Sequence, residues 1–164
     1  MAVVVIVGIL ATISLVSFRK YMTGSRSGEA FAMIQSIRAA EERYKSENLV
    51  YLDVSQGGWF PRVPSGRVKQ AFYGSGHADF ARWRLLNPAI TAQVEFGYMV
   101  NAGAPGVAMT APVIPISGPP FAWPVPSEYW YVIQAAADAD RNGVFAFFLA
   151  SGIKADVWVQ NDGE

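Results

Sequence analysis

The fold is decided by residues 1–48, which open with an uncharged run, MAVVVIVGILATISLV, at residues 1–16. Ser17 and Phe18 follow this run, and the first charges along the chain are Arg19 and Lys20. A helix that crosses a membrane needs about 20 apolar residues, so the run is slightly short for a full span. Because the charges follow the run, the pattern disfavours a secretory signal peptide and leaves a membrane anchor as one interpretation.

The sequence after Lys20 contains no strong signal that would end a helix. Apolar side chains recur at the spacing of one helix face: Ala30, Met33, Ile34, Ile37, Ala40 and Tyr44. The charged residues are expected to lie mostly away from that face: Arg38, Glu41, Glu42, Arg43 and Lys45. The pattern predicts one helix from near residue 2 to near residue 48, on the order of 70 Å long at ~1.5 Å per residue. Ile34, Ile37 and Tyr44 are expected to be buried against a sheet.

Two short motifs lie in the apolar run and at its exit, namely Gly8-Ile9-Leu10-Ala11 and the pair Phe18 and Tyr21 in F-x-x-Y spacing. They resemble the "GILA" step and the exit of the long N-terminal helix of type IV pilins and the related pseudopilins. Val16 stands where that family often has proline, and the family's cleavage motif and early glutamate would precede Met1. The resemblance implies a structural subunit of an extracellular type IV pilus filament, which is a helical homo-oligomer. It also implies a monomer held in the inner membrane and handled by pilus assembly machinery.

The same resemblance implies a division of the chain near residue 24. Residues 1–24 are expected to form the hydrophobic helix for membrane anchoring and the filament core, and residues 25–164 the globular head. The residues expected to make subunit contacts are Val4, Val5, Gly8, Ile9, Ala11, Ile13, Leu15 and Phe18. Two alternatives stay open: a pseudopilin or minor pilin of a type II secretion system, and a membrane-anchored periplasmic binding domain that does not polymerise. No enzymatic activity is expected under any of these interpretations.

The remainder of the chain predicts mainly β-structure. A short helix is expected at Asp79–Leu86, and strands at Gln93–Asn101, Tyr129–Ala136, Val144–Ala150 and Ile153–Gln160. The segment between the predicted strands Gln93–Asn101 and Tyr129–Ala136 is different. Its residues 104–126 hold nine prolines or glycines and predict irregular chain. The expected fold class is therefore α+β, with a long N-terminal α-helix packed on an antiparallel β-sheet head, the pilin fold.

One polar turn has part of the pattern of a calcium site. Asp138, Asp140 and Asn142 precede Gly143 in D-x-D-x-N-G spacing, which supplies oxygen ligands for a hard cation. The bidentate glutamate of an EF-hand would fall at Leu149, which excludes that motif. A looser calcium site and an ordinary hairpin turn remain as alternatives, and the turn is favoured.

The distribution of charge and the single histidine bear on two further functions, nucleic-acid binding and hydrolysis. Residues 56–127 hold five Lys or Arg against two Asp or Glu, while residues 128–164 hold two against six. The basic side chains lie near aromatic ones in sequence, a combination found in single-stranded nucleic-acid binding, yet zero net charge disfavours nucleic acid as a partner. Ser75, His77 and Asp79 are close together, but the chain lacks a nucleophile elbow and no hydrolase site is expected there.

Overall fold

The computed structural model describes residues 2–56, 58–62, 64, 66, 68–74, 76–90, 93–118 and 122–162. Its elements in chain order are α1 (Ala2–Asn48), β1 (Gln70–Ala71), α2 (Phe80–Leu86), β2 (Gln93–Val94), β3 (Gly97–Gly103), β4 (Trp130–Ala137), β5 (Ala146–Ser151) and β6 (Trp158–Gln160). Within α1, the described side chains are those of residues 3–14, 18 and 26–48. The fold is α+β, as the sequence predicts at the level of class.

The prediction of a long helix packed on the sheet is wrong. The two stretches of α1 with described side chains are residues 3–14 and the 23 residues Arg26–Asn48, and of these the second packs on the sheet while the first is exposed. The physical reason is one of length, because strands of six to eight residues extend roughly 20–27 Å at about 3.3 Å per residue. A 47-residue helix would extend for on the order of 70 Å, so the sheet has room for only part of it.

The prediction of a transmembrane helix is also wrong. Within the part of the chain that the structure describes, no helix combines the length and the apolar character needed to cross a membrane. The expected location of the monomer in the inner membrane rested on that helix and is corrected with it.

The sheet has four strands in the order β3-β4-β5-β6, and each neighbouring pair is antiparallel. A separate two-stranded ribbon joins β1 to β2. The predicted strand Gln93–Asn101 is interrupted at Glu95 and Phe96, where the backbone N–H of Glu95 donates to Oε1 of Glu29 at 2.6 Å instead of joining the sheet. The last predicted strand is shorter than expected, since residues 152–157 form a turn between β5 and β6.

The inner face of the sheet carries the main core. Ile34 and Ile37 of α1 are fully buried there, as predicted, whereas Tyr44 is only partly buried at the margin. Phe148 of β5 contributes from the sheet and meets Phe31 of α1 edge to face, with ring centroids 5.4 Å apart. The short helix α2 adds Trp83, and it ends at Leu86, before Asn87, whose φ of 47° places it in the left-handed region.

The outer face of the sheet is covered by the proline-rich segment. All eight residues of β4 are buried, which requires cover on both faces. Met109 and the partly buried Ile114, Ile116 and Trp123 pack on this side against Phe147 and other outward-facing sheet residues. The segment is held by Gln134 of β4, whose side-chain Oε1 accepts the backbone N–H of Val113 at 2.8 Å. The described residues of this segment, 104–118 and 122–126, are therefore irregular, as predicted, but they form part of a second apolar core.

Candidate assembly surface

Residues 3–14 form an apolar helical stretch that lies almost entirely in solvent. Val4 is 73% exposed, Val5 61%, Ile9 54% and Ile13 58%, and every described residue from 3 to 14 is classed as exposed. Since these positions cover more than three helical turns, no face of the stretch is buried against the rest of the chain. A helix that is apolar all round is normally buried on all sides, so this stretch lacks the cover its composition requires.

Three residues with small or no side chains interrupt the larger apolar ones in this stretch: Gly8, Ala11 and Ser14. An added Cβ at Gly8 would meet no other heavy atom within 4 Å, so the glycine leaves an open notch in the helix surface. Ala11 and Ser14 follow it at three-residue intervals and are also exposed. The hydroxyl of Thr12 donates to the carbonyl of Ile9 at 2.7 Å, which satisfies its hydrogen-bonding donor within the helix.

The structure places the residues predicted to make subunit contacts on this one helix. Seven of them are exposed in it: Val4, Val5, Gly8, Ile9, Ala11, Ile13 and Phe18. The side chain of Leu15, the eighth, lies outside the described residues. Their role in subunit contact stays a prediction, and their common exposure is what makes them available for it.

The second helical stretch differs because several of its charged side chains contact its own head. Arg26 lies 3.6 Å from Glu95, and Glu29 lies 3.7 Å from Lys69 while it accepts the backbone N–H of Glu95. Arg38 donates to the carbonyl oxygens of Ala155 at 2.7 Å and of two neighbouring residues in the β5–β6 turn. These contacts, together with the buried apolar face, fix residues 26–48 on the head.

Glu41 is a buried carboxyl group in this stretch, although the sequence analysis grouped it with residues lying away from the apolar face. Its Oε2 accepts the backbone N–H of Leu52 at 2.9 Å, and Oε1 has no hydrogen-bond partner among the described residues. Burial raises the pKa of Glu41 to about 8. The hydrogen bond from Leu52 lowers the pKa, and the nearby charges of Glu42 and Asp53 raise it, but both effects are smaller than that of burial. The signal was present in the sequence, because position 41 lies one helical turn after Ile37.

The residues predicted to bind calcium lie in a turn whose carboxylate oxygens accept hydrogen bonds from N–H groups of the same turn. The carboxylate of Asp138 accepts the backbone N–H groups of Asn142 at 3.2 Å and of Gly143 at 3.1 Å. Asp140 accepts both the backbone N–H and the side-chain amide of Asn142. Within the described residues, no group of three or more His, Cys, Asp or Glu side chains is placed to hold a metal ion. The arrangement is that of an Asx-type turn, while calcium binding stays an untested prediction.

His77 and Asp79 are close in space as well as in sequence, and Ser75 lies outside the described residues. The Nδ1 atom of His77 accepts the backbone N–H of Asp79 at 3.1 Å and lies 3.8 Å from its carboxylate. Asp79 is buried and accepts hydrogen bonds from the Arg82 guanidinium and from the backbone N–H of Gln56. The carboxylate therefore joins α2 to the segment that follows α1.

The aromatic residues near the basic ones belong largely to the core. Phe60, Phe72 and Trp83 are buried and pack on one another, with ring centroids 4.8–5.2 Å apart. Their ring faces are therefore unavailable for stacking on nucleic-acid bases. Two of the basic residues, Lys69 and Arg82, are paired within the chain. The sequence could not distinguish core aromatics from exposed ones, because both occur beside charged residues in loops.

Comparisons with known proteins add no relative: no family model, no curated protein and no solved structure matches the chain. The likeness to type IV pilins therefore remains a resemblance carried by the motifs at residues 8–11 and 18–21.

Proposed function

We propose that this protein is a structural subunit of a helical filament of the type IV pilin kind, assembled through its N-terminal apolar helix. The observation that carries the proposal is the exposure of residues 3–14 on every side, although the core of the head is complete without them. The resemblance of the first 50 residues to pilins supports the same assignment.

The occupant of this surface is the same stretch of other copies. A helix that is apolar on all faces needs several neighbours, and a bundle of identical helices provides them with matching length and composition. Each fully buried Val, Leu or Ile side chain contributes roughly 1.5–3 kcal/mol, so the eight such residues of this stretch outweigh the entropic cost of association. The notch at Gly8 and the small side chains of Ala11 and Ser14 allow neighbouring helices to approach closely.

An open filament follows when copies meet through two different surfaces. The helix of one subunit then lies against a different part of the next subunit's helix, and such head-to-tail contacts do not close into a dimer. The heads remain outside the bundle, because each head is packed on residues 26–48, the second stretch of α1, and leaves residues 3–14 uncovered.

The proposal is tested by charging the exposed stretch in the full chain. Val5→Lys places a cation in the expected bundle, and Val125→Lys is its matched control, because Val125 is an equally exposed valine of the head at 65% against 61%. Each protein is purified in detergent, the detergent is removed by dialysis, and the product is measured by pelleting and electron microscopy. We expect uniform fibres from the parent protein and from Val125→Lys, and none from Val5→Lys.

Two results would refute the proposal. One is a parent protein that gives only small closed oligomers or amorphous aggregate after detergent removal. The other is a Val5→Lys variant that forms fibres as efficiently as Val125→Lys, because the apolar stretch would then play no part in the assembly.

A further inference from the structure

A cleft of about 290 Å³ opens on the outer face of the sheet, away from the apolar helix. Its lining includes Trp123, Leu149, Ser151, Lys154, Asp156 and Trp158. Its volume lies near the lower end of the range for small-molecule sites in proteins, so it has room for one small ring. The proposed function makes no use of it.

Two half-exposed tryptophans give this cleft aromatic walls. Trp158 comes from the edge strand β6, and Trp123 comes from the proline-rich segment that covers the sheet. Trp158 packs edge to face on Phe147, with ring centroids 6.2 Å apart, which restrains its orientation. Leu149 of β5 is buried between the two elements. Two indole rings, one of them restrained by its ring contact, therefore line the cleft.

The polar rim of the cleft comes from the turn between β5 and β6. Lys154 and Asp156 are exposed, and neither makes an ion pair or a side-chain hydrogen bond to a described residue. The backbone of this turn is rigid, because Arg38 donates to the carbonyls of residues 154, 155 and 156 from the helix side. In addition, the backbone N–H of Lys154 donates to the hydroxyl oxygen of Ser151 at 3.2 Å. The rigid turn backbone thus carries one cationic and one anionic side chain beside the aromatic walls.

We infer that this cleft binds the pyranose ring of a neutral sugar. A pyranose has apolar C–H faces that pack on indole rings and hydroxyl groups around its edge. The Asp156 carboxylate accepts hydrogen bonds from neighbouring hydroxyls, and the Lys154 ammonium donates to another, which are charge-assisted bonds. The two charges cancel, so the site has no preference for an ionic ligand.

Other ligand classes suit the cleft less well. A quaternary ammonium group would gain from the tryptophan faces and from Asp156, but Lys154 at the same rim would repel it. A wholly apolar ligand would desolvate both charged groups without giving them partners, which is unfavourable. The sugar satisfies the aromatic walls and the polar rim together.

The test is titration calorimetry on the full chain in a polyoxyethylene detergent, which contains no sugar. The probes are the methyl glycosides of glucose, galactose, mannose, fucose and N-acetylglucosamine, with phenylalanine and choline as competitors from other classes. We expect at least one glycoside to bind with a Kd on the order of 1 mM and to change tryptophan fluorescence. Asp156→Ala should weaken that binding about tenfold, and Trp123→Phe severalfold.

The matched controls are Glu128→Gln, an exposed carboxylate outside the cleft, and Trp59→Phe, a half-buried tryptophan of the same outer core that lines a different groove. Both should bind the glycoside as the parent does, and far-UV circular dichroism should show all four variants folded. The inference is overturned if no glycoside of the panel binds, if choline or phenylalanine binds instead, or if the controls weaken binding as much as the cleft variants. Fibre formation is unaffected in either case, so the result is independent of the proposed function.

Discussion

Residues 3–14 and residues 26–48 belong to one helical element, yet they satisfy their apolar side chains in opposite ways. The second stretch directs Ile34 and Ile37 into its own sheet and ties its charged residues to the head. The first stretch has no charge, and its Val, Ile and Leu side chains are all more than half exposed. The difference teaches that burial requires a matching surface, which a sheet of this length provides for only one of the two.

The contrast between the stretches has a direct energetic consequence. In the second stretch a mutation should change the free energy of unfolding of the head, because the contacts of this stretch are intramolecular. In the first stretch the same mutation should leave the head intact and change association between chains. Paired substitutions in the two stretches therefore separate folding from assembly.

The largest expected effect comes from placing an aspartate in each stretch. Ile37→Asp buries an uncompensated carboxylate and should lower the free energy of unfolding by about 4 kcal/mol or more. Ile9→Asp, at a site 54% exposed, should change it by no more than about 0.5 kcal/mol. Urea titration in detergent, followed by tryptophan fluorescence, gives both values. Equal losses at the two positions would show that residues 3–14 are part of the folded head.

A somewhat smaller effect concerns pH and is confined to the second stretch. Glu41 has its ordinary pKa of 4.5 in the unfolded chain and about 8 in the folded one, so unfolding releases a proton between these values. The free energy of unfolding should therefore fall by a few kcal/mol as pH rises from about 4.5 to about 8, and should level off above it.

The matched pair for this prediction is Glu41→Gln and Glu47→Gln. The first removes the titrating group but keeps an acceptor for the Leu52 N–H, so it should be stabilising at pH 8 and should abolish most of the fall. Glu47 is exposed on the same helix, and its replacement should leave the parent profile unchanged. A Glu41→Gln profile that still falls as steeply as the parent's would exclude the buried carboxyl as the cause.

The smallest effect is expected at the contact between α1 and the β5–β6 turn. Arg38→Ala removes the charged donors to the carbonyls of residues 154–156 and should cost about 1–2 kcal/mol in the free energy of unfolding. Arg84→Ala is the control, since Arg84 is exposed and makes only a distant contact with the Phe80 ring. If thermal denaturation gives the same midpoint for both variants, Arg38 contributes no more than an ordinary surface residue.

Periodicity in the sequence was sufficient for much of the head. The apolar spacing predicts the buried positions of Ile34 and Ile37, and the short helix expected at Asp79–Leu86 corresponds to α2. Periodicity did not predict how much of the N-terminal helix packs on the sheet. The spacing of apolar residues along the helix contains no information on the length of the sheet. The uncharged run at residues 1–16 indicated a membrane anchor, whereas the described residues contain no helix that could span a membrane.

The outer face of the sheet shows the same limit. The proline-rich segment was correctly predicted to be irregular in its described residues, 104–118 and 122–126, but its apolar side chains could not be assigned to a core before the sheet was known. The candidate cleft was missed for this reason, because its two walls, Trp123 and Trp158, are 35 residues apart in the chain. The nearest sequence signal is the alternation of Asp156 and Trp158 at the entrance to β6.

The central claim is that residues 3–14 are covered by other copies and residues 26–48 by their own head, and single cysteines measure this directly. The chain has no cysteine, so a thiol introduced at position 9, 34 or 125 reacts uniquely with a maleimide probe. We expect Ile34→Cys to be protected in detergent and in fibres, and Val125→Cys to react in both. Ile9→Cys should react in detergent and become protected in fibres, and its oxidation in fibres should give disulfide-linked chains. An Ile9→Cys thiol that reacts equally fast in both states would contradict the account.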